Sequence, residues 1–503
     1  MGVFNKPLET PNHPMKNNTR LLSLPALLAA LGLILAGRAT AQNTFTNLFD
    51  FNFNDGAQIQ AGLVLSSNRL YGAAAAGGTM SYGMLFAINT DGTSFSNLYN
   101  LNPGSDGSEP EAALILSSNI LYGTASHGGN NAAGTVFAIH TDGTFFTDGA
   151  VITNLYTFNG GTDGLDPFAS LVLSSNVLYG TASQGGGPNN GTVFAVNVNG
   201  TANGTGFTNL HSFTTLSSSS HTNTDGTFPM AGLILSSNVL YGTASGGGYF
   251  NRGTIFALNI NSLGFTNLHN FTALSNAAPF GNIDGATPLA PLILSGNTLY
   301  GTASKGGSSD NGTVFAIHTD GTGFTNLYSF SAEDSETVTN TDGANPEGAL
   351  VLSGNILYGT AFHGGSMSDG TLFSINTNGT GFTNLYNFTG GQDGANPASG
   401  LLLSGNVLYG TASGGDSSGA GTVFRLSLGS VSVSMPRLVI IHSGTNVIVT
   451  WPTNFTGYTL QSTTNLVSPA VWITNTPAPV VVNTNNAVTN GVSGSRKFYR
   501  LSQ

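Results

Sequence analysis

Seven aspartates stand out among the residues able to do chemistry: Asp55, Asp106, Asp163, Asp225, Asp284, Asp342 and Asp393, each followed by glycine. In every copy a Leu follows at +8, a Gly at +17 and a second Gly at +28. Seven carboxylates on one face of a repeat protein would attract a cation or the hydroxyls of a glycan. Ca2+ would suit an oxygen-only donor set. The other reading is punctuation: an Asp before Gly bonds the backbone two residues on and opens a turn. The spacing favours no particular metal and implies no organic cofactor.

A second variable position lies in the Gly-Gly loops, where the copies carry Ala76, His127, Gln184, Gly246, Lys305, His363 and Gly414. Different residues at one place on a fixed frame can build an asymmetric binding face, and His127, Gln184, Lys305 and His363 are its candidate tips. Glu109, Glu111, Asp166 and Glu347 break the repeat pattern in or just after the Asp-Gly loops. Two such acids in an axial funnel are the pattern of a polysaccharide hydrolase or lyase. No nucleophile with a base is evident, so no catalytic residue is assigned. His140, His211, His269 and His318 substitute at strand positions and read as structural.

The elements that position these residues are short strands. Each unit offers four: LxL, then LYGTA after a Ser-x-Asn turn, then GTVFAI, then FTNLY after a Thr-Asp-Gly turn. The Gly of the YG step recurs at 72, 123, 180, 242, 301, 359 and 410. A four-stranded meander repeated near this period is the size of a propeller blade. The last unit lacks its fourth strand, while Phe45-Thr46-Asn47-Leu48-Phe49 precedes the first unit. The expectation is an all-β chain: a seven-bladed β-propeller over 42–429, closed by its N-terminal strand. A linker at 430–436 and a small β-sandwich at 437–503 follow. Loops joining strands 4 to 1 and strands 2 to 3 should share one face.

Residues 1–41 have the order of a secretory signal. Lys16 and Arg20 flank an apolar run at 21–37, and Ala39-Thr40-Ala41 forms a small-residue cleavage site. No other segment is apolar enough to span a membrane. The 503-residue chain has no cysteine, which excludes disulfides and thiolate metal sites. Residues 42–431 carry 22 acidic and 4 basic side chains, a balance that repels nucleic acid. The basic Arg437, Arg496, Lys497 and Arg500 all lie in the C-terminal segment. A secreted or envelope-bound bacterial monomer is expected.

The order LxLSxNxLYGTAxxGG…GTVFAIxTDGTGFTNLY resembles the GloVer (Gloeo/Verruco) tandem repeat across nearly all of residues 45–428. The resemblance implies an exported repeat protein and brings no known activity or catalytic residues. The apolar–YG–GG pattern is also similar to kelch repeats, with Phe or Tyr in place of the kelch Trp on strand 4. The tail is similar to a short fibronectin-III-like sandwich. The function expected from all of this is non-enzymatic: a propeller binding a glycan, polymer or cell-surface protein through one face, with the tail as targeting or tethering domain. The alternatives are a polysaccharide hydrolase or lyase with acids in the axial funnel, or a purely structural envelope protein.

Overall fold

The computed structural model describes residues 42–146, 149–199, 206–274, 281–415, 418–429, 438–453, 459–465, 471–475, 477–482, 485–491 and 496–502. The expected signal at 1–41 and linker at 430–436 lie outside the described residues. One compact unit is Asn43–Leu428, and Gly429–Gln503 belongs to another. Among the described residues every regular element is a strand, and no helix is long and apolar enough to cross a membrane.

Among the described residues Asn43–Leu428 holds seven four-stranded antiparallel sheets, an all-β, propeller-like arrangement. In a typical sheet Ile115–Ser117, Ile120–Ala125, Thr135–His140 and Ile152–Thr157 pair in chain order. The last sheet differs. Its strands Leu402–Ser404, Val407–Ala412 and Thr422–Ser427 take Thr44–Asp50 as the fourth member, from the other end of the repeat region.

The burial of each strand follows its composition. The third strand, TVFAIH at Thr135–His140, is buried at every position but the last. A strand covered on both faces reads as a continuous apolar run. The first hairpin turns on a left-handed residue: Ser67, Ser118 and Ser237 have φ of 55°, 56° and 55°, and Gly296, Gly354 and Gly405 occupy the same place at 60°, 59° and 59°. Ser and Gly alternate there because the backbone needs that region.

Two glycines of the 28-residue block have separate physical causes. A Cβ at Gly123 would lie 2.6 Å from Phe137 Cζ, because the third-strand Phe ring lies across the YG step. The +28 glycine has a positive φ, +99° at Gly253. A Cβ there would sit 2.6 Å from both Ala244 O and Pro288 Cδ, and Pro288 belongs to the next repeat's Asp-Gly loop. The block length therefore sets how consecutive sheets meet. Gly253→Ala is expected to cost about 3 kcal/mol or more, from left-handed strain and overpacking together. Gly161→Ala, where a Cβ meets nothing within 4 Å, is the near-neutral control. Urea denaturation midpoints compare the two.

Seven apolar clusters fill the unit, each drawn from two sheets. Tyr71 and Leu85 of the first sheet pack with Leu121 and Phe137 of the second, and the pattern repeats onward. Tyr409 and Val423 of the last sheet pack with Leu70 and Phe86 of the first. At the fourth strands an aromatic ladder runs from sheet to sheet: Tyr156 on Phe207 at 4.0 Å, His211 on Phe265 at 4.1 Å, His269 on Phe324 at 3.9 Å and Tyr328 on Phe382 at 3.9 Å. Phe45 stacks on Tyr386 at 4.1 Å. Hydrogen bonds follow the same course. Asn154 Nδ2 donates to Ser105 O at 2.6 Å and Asn209 Nδ2 to Thr162 O at 2.6 Å. Thr124 Oγ1 donates to Ala169 O at 3.1 Å, and Thr411 Oγ1 to Ala61 O at 3.0 Å.

The C-terminal unit, taken by itself, has two antiparallel sheets. Val439–Ser443, Asn446–Pro452, Asn485–Gly491 and Val480–Val482 form one, and Thr459–Thr463 with Ile473–Thr474 and Phe498–Ser502 the other. Val449, Trp451, Leu460 and Val488 make their shared core. Arg500 lies over the Trp472 ring at 4.5 Å and donates from Nε to Gln461 Oε1 at 2.9 Å.

Candidate functional site

Each Asp-Gly aspartate is held by its own repeat. Asp342 Oδ2 accepts from Tyr328 Oη at 2.7 Å and Ser331 N at 2.9 Å, and Oδ1 accepts from Ser331 Oγ. Asp106, Asp163 and Asp393 take the phenols of Tyr99, Tyr156 and Tyr386 at 2.7, 2.8 and 2.9 Å. Where the fourth strand carries His instead of Tyr, the imidazole fills the same role. His211 Nε2 and His269 Nε2 lie 3.0 Å from Asp225 Oδ2 and Asp284 Oδ2. Asp55 follows a strand with Phe49 at that place and turns to Asn52, accepting from its N and Nδ2 at 2.6 Å each.

The carboxylate thus latches the end of strand 4, in place of the expected turn with the backbone two residues on. Burial and the neighbouring carboxylate push the phenols of Tyr99, Tyr156, Tyr328 and Tyr386 upward. Among the described residues no group of three or more His, Cys, Asp or Glu is arranged to hold a metal ion. Asp342→Ala strands a phenol and an amide beside a site only 3% exposed. It is expected to cost about 3 kcal/mol, against about 1 kcal/mol for Asp55→Ala on its more open loop. Thermal denaturation of the two variants measures the difference.

The loop tips are fixed through their backbones. The residue two after each aspartate bridges the Gly-Gly tip, as Ser108 to His127, Leu165 to Gln184, Ala286 to Lys305 and Ala344 to His363. The two loop types therefore share a side of each sheet. The residue three after the aspartate is left-handed in all seven copies: Gln58, Glu109, Asp166, Phe228, Thr287, Asn345 and Asn396 have φ between 53° and 57°. That conformation lets one residue bond in two directions. The Glu109 amide donates to Tyr82 O at 3.0 Å, in the preceding repeat's loop, while its carbonyl accepts from Ser126 N at 3.2 Å. The backbone is invariant and the side chains vary.

These loops surround a cavity of about 380 Å³ that draws on all seven repeats. The +7 residue of each repeat, from Gly62 to Gly400, lines it. So do +5 residues, among them Gln60, Glu111, Phe168, Met230 and Glu347. Burial, reinforced by the Glu109 charge, pushes the Glu111 carboxyl up to about 7, while the Ser126 hydroxyl beside it pulls the other way. Glu111 Oε2 is sealed from solvent and has no hydrogen-bond partner. Burial also raises Glu347, opposed by the Lys305 charge.

The candidate tips fall into two groups beside this cavity. His127 Nδ1 is 3.4 Å from Glu109 Oε2, and its Nε2 is 3.7 Å from Asp166 Oδ1. Gln184 Nε2 donates to Asp166 Oδ2 at 2.7 Å, and burial raises the Asp166 carboxyl. Lys305 acts electrostatically on Glu347 and on His363, whose imidazole is lowered by burial and then by that cation. His363 Nδ1 lies 3.2 Å from Asn396 Nδ2.

Ser126 Oγ sits 2.9 Å from His127 Nδ1, which suggests a nucleophile and base. Yet that hydroxyl donates to Glu109 O at 3.1 Å, just as Ser245, Ser304 and Ser413 donate to Phe228, Thr287 and Asn396 carbonyls. It is part of the repeat scaffold. Sequence reasoning named the four pattern-breaking acids but did not recognise +5 as a register position lining one cavity. Superposing the seven blocks on their aspartates exposes that variation between constant neighbours.

The sequence profile of the Gloeobacter/Verrucomicrobia repeat matches residues 37–220, 148–339 and 335–445. The chain belongs to the Gloeobacter/Verrucomicrobia repeat family. The matched segments of this repeat include every Asp-anchored block. No protein with a curated description matches the chain in sequence. Among solved structures, a puromycin hydrolase is similar over 80% of this chain and 59% of its own, at 11% identity and a TM-score of 0.48. This chain thus spans about three fifths of that enzyme's length. An oligogalacturonate lyase in complex with manganese is similar over 78% of this chain and 95% of its own, at 9% identity and a TM-score of 0.45. A nidogen/laminin complex is similar over 56% of this chain and 82% of its own, at 14% identity and a TM-score of 0.34.

Proposed function

We propose that this protein is an exported, seven-bladed β-propeller, closed by its N-terminal strand, that binds a saccharide ligand at the cavity on its axis without turning it over. The apolar cluster joining the last sheet to the first, and the Thr411 bond to Ala61 O, support closure. The binding reading rests on one observation: a cavity lined by all seven repeats, with side chains that vary at +5 on a constant loop backbone. Pockets that seat a ligand combine apolar walls with a few placed polar groups. Here Phe168 and Met230 offer a surface for the C–H face of a sugar ring, and Glu111, Glu347 and Gln60 offer hydrogen bonds. The fibronectin-III-like tail would tether the propeller at the cell envelope.

Glycan-array screening followed by calorimetry tests this. Binding is expected to fall at least tenfold in Phe168→Ala. Absence of binding to every saccharide class would overturn the proposal. The seven aspartates are then structural, and neither Ca2+ nor EDTA should move the melting temperature.

The second reading is a polysaccharide hydrolase or lyase. It draws on Glu111, a carboxyl protonated near neutrality beside a cavity that also holds Glu347, as a general acid requires. Release of reducing or unsaturated ends from a bound polysaccharide, abolished in Glu111→Gln with binding retained, would favour it over pure binding.

A further inference from the structure

We propose that the saccharide taken at the axial cavity carries a protonated amine, as a glucosamine unit does, with the ammonium against Glu111 and the sugar ring against Phe168. This rests on the saccharide-binding reading and narrows it to one chemical class.

The first support is an unmet acceptor. Glu111 lines the cavity, and its Oε2 is closed to solvent without a hydrogen-bond partner. The Ser126 hydroxyl beside the Glu111 carboxyl is shared with Glu109 O, and the Gln184 amide is committed to Asp166. His127 stands between Glu109 and Asp166. A buried acceptor left this way is costly, so turning the carboxyl toward a ligand donor in the cavity is correspondingly favoured.

The second support is charge. Glu109 and Asp166 both act on Glu111 in the direction that opposes a further negative charge. Lys305 moderates Glu347, whereas among the described residues the charges that act on Glu111 are those of Glu109 and Asp166. A hydroxyl would meet the hydrogen-bonding need and leave the charge uncompensated. An ammonium meets both, with three donors on one centre. A uronic or sulfated sugar would be repelled by the same carboxylates. The third support is shape: Phe168 and Met230 line the same cavity as Glu111, so one cavity can seat an apolar ring face and a cationic group.

The test uses the full chain and calorimetry with four tetrasaccharides of equal length: glucosamine, N-acetylglucosamine, glucose and galacturonate. The glucosamine tetramer is expected to bind at least tenfold more tightly than the acetylated and neutral ones, and galacturonate not measurably. Glu111→Gln should erase most of that preference, while Glu336→Gln, an exposed acid outside the cavity, should leave it intact. If neutral or acetylated tetramers bind as tightly as glucosamine, the amine inference falls and saccharide binding stands. If none of the tetramers binds, both fall. If Glu336→Gln weakens glucosamine binding as much as Glu111→Gln, the attraction is diffuse and the cavity site is overturned.

Discussion

A chain that begins at Phe53 is expected to lose most of its folding stability. The removed segment supplies Thr44–Asp50, which pairs with Thr422–Ser427. It also takes Leu48 and Phe51 from the cluster joining the last sheet to the first, and the stacks of Phe45 on Tyr386 and Phe49 on Phe95. Burying each such side chain is worth about 1.5–3 kcal/mol. The four together approach about 6–12 kcal/mol, comparable with the whole stability of a domain. The strand Thr422–Ser427 would also become a bare edge, which invites pairing between molecules. Size-exclusion chromatography should show dimers or aggregates, and the urea midpoint should fall sharply. A synthetic peptide of residues 43–53 should restore the monomer. A truncated chain that stays monomeric with an unchanged midpoint would rule out closure by this strand.

The second large effect is a pH dependence centred on Glu111. Its carboxyl stands at about 7 in the folded protein against 4.5 for an unperturbed glutamate, first through burial and then through Glu109, with Asp166 adding to it and Ser126 opposing. Between those values the folded chain keeps a proton that the unfolded chain has released. The Glu111 contribution to stability is therefore fully present below pH 4.5 and is lost as pH rises through about 7. The full span corresponds to about 3 kcal/mol. Asp166 is raised as well and adds a slope of the same sign. Glu111→Gln removes the titrating group at nearly constant shape. The variant should match the parent at pH 4.5 and exceed it by about 2–3 kcal/mol at pH 8.5, read from urea midpoints. Parallel pH profiles would mean that the carboxyl is ordinary.

The latch shows why part of the site was not legible. Tyr99 precedes Asp106 by seven residues and Tyr328 precedes Asp342 by fourteen, because the intervening loop varies in length. A constant partnership was hidden by an inconstant separation. Histidine at 211 and 269 read as structural from its strand position, but its partner, the carboxylate met by its Nε2, was not named. The +3 residues gave no sign of their left-handed backbone either. Six of the seven are Gln, Glu, Asp, Asn or Thr, types common in any loop, and the demand arises from bonding to two neighbours at once.

What the chain determined by itself is the repeat: four strands, the constant block and the glycines that a ring or a proline excludes from bearing a Cβ. Those constraints act within about thirty residues of chain, where covalent spacing alone carries them. Glu111 and Glu347 are 236 positions apart in the sequence, yet they line one cavity. Their convergence, and the burial that lifts Glu111, exist only once the sheets have packed side by side, because burial and cavity shape belong to the packed assembly. The seven aspartates had two readings in the sequence, ligand ring or structural turn, and the packed repeats use them as latches on strand 4; the residues five positions further along line the cavity.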